Sequence, residues 1–187
     1  MPARQPAPAP LNVVEDFVNT LEIDGVERTE LLVTADDLRR WLEERDLTAA
    51  GGELTEADRR IAVDVREDLR ALLLANNGEE LEEGALDRLN EVAGRALLKV
   101  RFTGPGRAQL EPESPGIDGA LGRILSIVLH AMVDETWSRL KACRNDECMW
   151  VFYDTSKNHS ATWCSMRVCG NRMKARAYRR RRAEEHA

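Results

Sequence analysis

Apolar positions recur at helical spacing over most of the first 140 residues. Val13, Val14, Phe17, Val18 and Leu21 form one stripe from Leu11 onward, and Asp24-Gly25 closes it with turn chemistry. Leu38, Trp41 and Leu42 predict a second, short helix that Thr34 or Asp36 can cap. Thr55 with Asp58 resembles a capping box in which Asp stands in for Glu. The helix it opens sets Ile61, Val65, Leu69, Leu72 and Leu73 on one face until Asn77-Gly78 stops it. A further helix over about 81–98 carries Leu86, Leu89, Val92, Ala93 and Ala96. The period then changes. Residues 97–102 are rich in strand formers, Thr103-Gly104-Pro105-Gly106 is a turn, and 107–112 return, the one hairpin expected in the body. After Pro115-Gly116 the spacing of Leu121, Ile124, Leu125, Val128, Met132 and Val133 predicts a long helix, expected to continue through Trp137 and Leu140 to Cys143.

The pattern therefore predicts a mainly α protein with a small β-hairpin, an α+β chain. It would have a disordered Pro/Ala tail over 1–10, a helical body over 11–140 and a small C-terminal module over 141–187. The tail lacks the apolar stretch of a signal peptide, and no apolar run approaches the roughly 18 residues of a membrane span. The stretch 124–133 comes nearest and contains Ser126 and His130. These features predict a cytoplasmic protein without a membrane partner.

Charge changes the picture further. The net −6 divides into 16 Lys/Arg against 28 Asp/Glu over 1–140, a balance of −12, and 11 against 5 over 141–187, a balance of +6. A basic end on an acidic body points to an anionic partner, unless the two ends simply attract each other.

All four cysteines, Cys143, Cys148, Cys164 and Cys169, fall within 27 residues as C-x4-C, fifteen residues, C-x4-C. Two short-spaced pairs across such a loop supply the tetrahedral thiolate set that zinc prefers. Disulfides are disfavoured in a reducing compartment, and the spacing matches no common iron–sulfur pattern. The expected cofactor is one structural zinc ion, closed to substrate. His159 lies between the pairs as a redundant fifth donor, while His130 and His186 read as ordinary. Residues 149–153 read as a strand, 154–158 as a turn, and Trp150, Phe152 and Trp163 as apolar cover for the metal. Gly170 is expected to let the backbone turn so that amides point at sulfur, and a helix should begin near Asn171.

The residues Cys143, Cys148, Trp150, Phe152, Asp154-Thr155-Ser156-Lys157-Asn158, Trp163-Cys164-Ser165-Met166 and Cys169-Gly170-Asn171-Arg172, followed by Lys174 and Arg176, resemble the CGNR zinc-finger family. Asp16-Phe17-Val18-Asn19-Thr20 looks like the opening of the ABATE domain, which typically precedes that finger. The resemblance implies a regulatory transcription factor. Two departures stand out: Lys157 where the family usually has Arg, and Ala161-Thr162 where it often has a basic pair. Both are expected phosphate contacts, so the C-terminal basic helix should carry more of the grip.

The leading expectation is a DNA-binding transcription regulator. Arg167, Asn171, Arg172, Lys174, Arg176, Arg179, Arg180, Arg181 and Arg182 are its nucleic-acid contacts, and Asn171 and Arg172 are chemically suited to base edges. Against this, Arg172 could pair with Asp154 or offset the zinc–thiolate charge, and 179–182 could be a solvated tail. The alternatives are a zinc-stapled protein-interaction module or an RNA-binding protein. A small-molecule effector would bind the body, where Asp16 and Asn19 could line a polar pocket or form a cap or interhelical hydrogen bond; a homodimer is also admitted. There is no phosphate loop, no Ser–His–Asp grouping and no spare cysteine nucleophile, so an enzyme is not expected.

Overall fold

The computed structural model describes residues 5–48 and 53–184 and gives an α+β protein built on helices. Residues 1–4 of the expected tail and His186 lie outside the described residues. Helix α1 (Asn12–Val18) buries Val14, Phe17 and Val18. It ends before Leu21, which instead opens strand β1 (Leu21–Asp24), paired antiparallel with β2 (Glu27–Glu30) across Asp24-Gly25. This hairpin was not foreseen, because the exposed Glu27-Arg28-Thr29-Glu30 strand has no apolar alternation to betray it. The tail needs a correction too. Ala7 is buried in the core and its amide donates to the Glu15 carboxylate at 2.7 Å, so the chain is tied down before α1 begins.

Both predicted caps form. Thr34 caps α2 (Ala35–Glu43) with Asp37, and Thr55 caps α3 (Glu56–Ala75) with Asp58, each as a reciprocal capping box. After α3, α4 (Ala85–Ala96) leads into β3 (Leu98–Gly104) and β4 (Arg107–Pro112), the predicted hairpin. Helix α5 (Gly116–Val133) packs on α1, α3, α4 and β4. A side chain at Gly122 would meet Ala96 Cβ at 2.6 Å and Pro112 Cβ at 3.1 Å, so only glycine allows α5 this close to α4 and the hairpin. By length and composition α5 could cross a membrane, although the sequence suggested no such run; half of it is buried in this core.

The helix expected to reach Cys143 stops at Val133. Glu135 takes a left-handed φ of 59°, and a 3-10 turn (Trp137–Arg139) redirects the chain into β5 (Leu140–Ala142). Strand β5 pairs antiparallel with β6 (Val151–Tyr153), with Ala142 opposite Val151. A π-helical turn (Met166–Gly170) then runs into α6 (Asn171–Glu184).

The division at residue 140 marks a change of sequence character, while the packing runs across it. Leu140, Ala142 and Val151 belong to the same buried cluster as Phe17, Leu69, Leu73 and Leu121. Polar side chains of the body complete the join. Asn76 donates to the carbonyls of Trp137 (2.9 Å) and Leu140 (3.0 Å), and Asn77 to those of Ala142 and Thr162 (both 2.8 Å). Arg70, 1% exposed, reaches the carbonyls of Val18 (2.7 Å) and Met149 (2.9 Å). The Asn77-Gly78 helix stop is thus also a clasp. Asn77→Ala should strand one buried and one partly buried carbonyl and destabilise the whole chain by about 1–3 kcal/mol. Urea unfolding should record this as one transition shared by body and module; an unchanged midpoint would show that the clasp carries no stability.

Candidate metal centre

The connection between β5 and β6 supplies the first two cysteines. The Cys143 amide donates to the Trp150 carbonyl at 2.9 Å, and the Cys148 amide to the Asn145 carbonyl at 2.8 Å, folding the connection into a tight knuckle. Cys169 sits on the π-helical turn and Cys164 just before it, where the Ser165 hydroxyl accepts from the Val168 amide at 3.3 Å and the Ser165 carbonyl from the Gly170 amide at 3.0 Å. Gly170 therefore does not aim its amide at sulfur. A Cβ there would meet Met166 Sδ at 2.4 Å and Trp163 Cδ1 at 3.2 Å, so its smallness admits those covering side chains.

The four sulfurs lie within 4.8 Å of one another, and all four residues are buried. Cys164 Sγ is 3.6 Å from both Cys148 Sγ and Cys169 Sγ. A metal at the centre of a thiolate tetrahedron with bonds of ~2.3 Å sets its sulfurs ~3.8 Å apart, whereas a disulfide requires ~2.05 Å. The spacing fits four ligands around a single ion. Backbone amides of Cys164 and Asn145 bond the Cys143 sulfur, and Asn145, fully buried, sends its side-chain amide to Cys169 Sγ at 3.5 Å. Hydrogen bonds from Cys148 and Cys164 hold the Cys143 thiol down at about 2. The same contacts push Cys148 up to about 12 and Cys164 up as well. Four thiolates packed this closely repel one another, and a divalent cation at their centre removes that conflict. Phe152, 1% exposed, packs on the cysteines with Trp150, Trp163 and Ala161, so the expected cover is present, and one of the two family departures has a packing role.

Beside the cluster, Lys141 and Asp154 form a buried ion pair at 2.9 Å. Burial alone would raise the Asp154 carboxyl; hydrogen bonds from Ser156 and Lys141, with the amides of Ser156 and Ala161, outweigh it and hold the group at about 2. Lys141 also donates to the carbonyls of His159 and Ala161, which fixes the loop between the cysteine pairs. Neither residue was singled out as a pair beforehand, since their chemistry becomes visible only once β5 and β6 align.

The expected nucleic-acid residues divide. Arg167, Lys174, Arg179, Arg180, Arg181 and Arg182 are exposed. Asn171 is exposed too, with its amide on the Arg167 carbonyl at 3.1 Å. Arg172 pairs not with Asp154 but with Asp24 of the β1–β2 hairpin, at 3.1 Å, and that contact, followed by the pull of the Cys169 and Cys148 sulfurs, raises its pKa. Arg176 is held by Asp146 at 3.0 Å and by Glu147. Asp16 and Asn19 have different surroundings. The Asn19 amide donates to the Val151 carbonyl at 2.9 Å and accepts from the Val151 amide at 2.8 Å, acting as a short strand against β6, while Asp16 is exposed 3.7 Å from Arg45. His159 is exposed and takes no part in the sulfur cluster.

Fold and site together define a helical body fused to a finger whose four cysteines are arranged to bind a metal ion. Residues 11–135 match the family model for the ABATE domain, described as "Putative stress-induced transcription regulator", and residues 139–182 match the CGNR zinc finger. The chain belongs to the ABATE family and carries a C-terminal CGNR zinc finger. No curated protein matches it. Purified protein should carry about one zinc per chain, and Cys164→Ser should lose the metal and the order of the finger, because ligand geometry and folding are coupled in such sites. Metal analysis that finds no zinc, or iron with visible absorbance, rejects the assignment.

Proposed function

We propose that the chain is a DNA-binding transcription regulator, with one structural zinc ion in the four-cysteine finger and α6 as its phosphate contact. The observation that supports this most is the exposure of Lys174 and of all four arginines from Arg179 to Arg182 on a helix with no buried residue, attached to an otherwise acidic chain. Cations of this kind displace condensed counterions from a duplex and give affinity that depends on salt more than on sequence. Asn171 and Lys174, exposed at the start of α6, are the candidates for base edges. For Arg172 and Arg176 a phosphate would have to compete with Asp24 and with Asp146 and Glu147. With four thiolates and no open position the zinc has a structural, not a catalytic, role, and we assign the protein no enzyme activity and a cytoplasmic setting in which those thiols stay reduced.

A second reading, a zinc-stapled protein-interaction module, is supported by the β3–β4 hairpin, where Val100 is 61% and Phe102 81% exposed. The two readings separate on salt. Log affinity for duplex DNA should fall linearly with log salt, by about 0.9 per phosphate neutralised, and replacing Arg179 to Arg182 with Ala should weaken binding to every sequence and flatten that slope. Arg172→Ala should flatten it less than the loss of any one of those four. If the full chain leaves genomic DNA fragments unbound at about 50 mM salt, the interaction module takes the lead; tighter binding to RNA than to DNA would move the assignment to RNA.

A further inference from the structure

The cysteine cluster is not sealed on every side. A cleft of about 290 Å³ opens beside it, lined by Cys148, Cys164 and Cys169 together with Asp24, Val168 and Arg172. Cys143 does not line it, so the cleft lies outside the sulfur tetrahedron, against the face made by the other three ligands. Of the four, Cys164 is the most exposed, at 5%, and Cys143 the least, at 0%. Cys164 stands 3.6 Å from both cleft-lining neighbours.

Once zinc holds the sulfurs as thiolates, these positions offer what a thiol oxidation site needs: a sulfur lining a cleft open to solvent, a cation on the wall of the same cleft, and a second sulfur poised to resolve the product. We propose that the cleft admits hydrogen peroxide or a small organic hydroperoxide to Cys164, making the finger a peroxide-responsive site that closes a disulfide and gives up its metal. The Cys164 thiolate attacks one peroxide oxygen, the O–O bond breaks, and hydroxide (the alkoxide for an organic hydroperoxide) leaves into the cleft, giving a sulfenic acid. The Cys148 or Cys169 thiolate then attacks that sulfur, the S–O bond breaks, and a second hydroxide leaves. Two thiolates are oxidised by two electrons and one peroxide is reduced to two hydroxides, which water protonates. A disulfide needs its sulfurs at ~2.05 Å, well inside the 3.6 Å seen here, and removes two of four ligands, so the ion cannot stay. The cleft is ample for the oxidant, because a water occupies roughly 30 Å³ and hydrogen peroxide is larger by a single oxygen atom.

The inference rests on the zinc reading and is independent of DNA binding. Zinc content of the full chain is measured first; a chain without zinc sinks both the metal assignment and this proposal. Loaded protein is then treated with hydrogen peroxide while a chromogenic chelator follows free zinc and mass spectrometry maps the cysteines. The expected result is one zinc released per disulfide formed, each disulfide containing Cys164, with Cys143 the last thiol to be lost and zinc rebinding after reduction. Val168→Phe, at the cleft wall, should slow release several-fold and Val168→Ala should quicken it, both at unchanged zinc content. Zinc retained under peroxide that oxidises glutathione, first disulfides through Cys143, or identical rates in both Val168 variants would overturn the proposal.

Discussion

Everything C-terminal to residue 140 depends on backbone groups of the finger being satisfied by side chains of the body. A module of this size buries too little apolar surface to be stable by itself, and its short strands leave carbonyls and amides with no ladder partner. Here Arg70 and Asn77, on or just after α3, take up three of those carbonyls, Asn76 takes up those of Trp137 and Leu140 at the junction, and Asn19 pairs with both backbone groups of Val151. A metal ion would cross-link the knuckles from within, and the body holds them from outside. Both act on the same arrangement, which sets the four sulfurs within 4.8 Å of one another.

This division of labour explains what was legible beforehand. The capping boxes at Thr34 and Thr55, the apolar stripe of α3 and the spacing of the four cysteines were all readable because each is decided within a few residues of itself. Asn19 was readable only as a polar residue near a stripe, since its partner lies 132 positions away. Arg66 and Arg70 interrupt the α3 pattern as charges, yet they are 2% and 1% exposed, because Thr20 and Glu30 on one side and the carbonyls of Val18 and Met149 on the other receive them. Periodicity ranks such residues as solvent-facing; only the tertiary partner makes their burial tolerable. The end of α5 escaped for the opposite reason. Its apolar spacing continues into Trp137 and Leu140, which do join the core, but from a 3-10 turn and a strand.

The charge asymmetry resolves into two populations of cations. Arg172 lies on an acid of the hairpin, so part of the attraction between acidic body and basic end is internal, as the simpler reading of the composition held, while Arg176 lies near acids of the knuckle within the basic end itself. Such exposed pairs contribute little to stability, roughly 0–1 kcal/mol each. Their consequence is orientation: they fix which side of α6 faces the protein. The cations beyond Ala177 are left facing solvent, so phosphate affinity would be concentrated in the last two turns.

Orientation also links the two ends of the chain. The β1–β2 hairpin touches the finger twice, through the Gly25 amide on the Glu147 carbonyl at 2.9 Å and through Asp24 on Arg172. Asp24 and Arg172 are at the same time two walls of the cleft against Cys148, Cys164 and Cys169. A change at the sulfurs and a change in the hairpin therefore act on one ion pair, located where α6 leaves the finger. Loss of the metal would free the π-helical turn that aims α6, and with it the direction of every cation further along the helix. The same geometry that gives the basic helix a defined direction makes that direction depend on four intact thiolates.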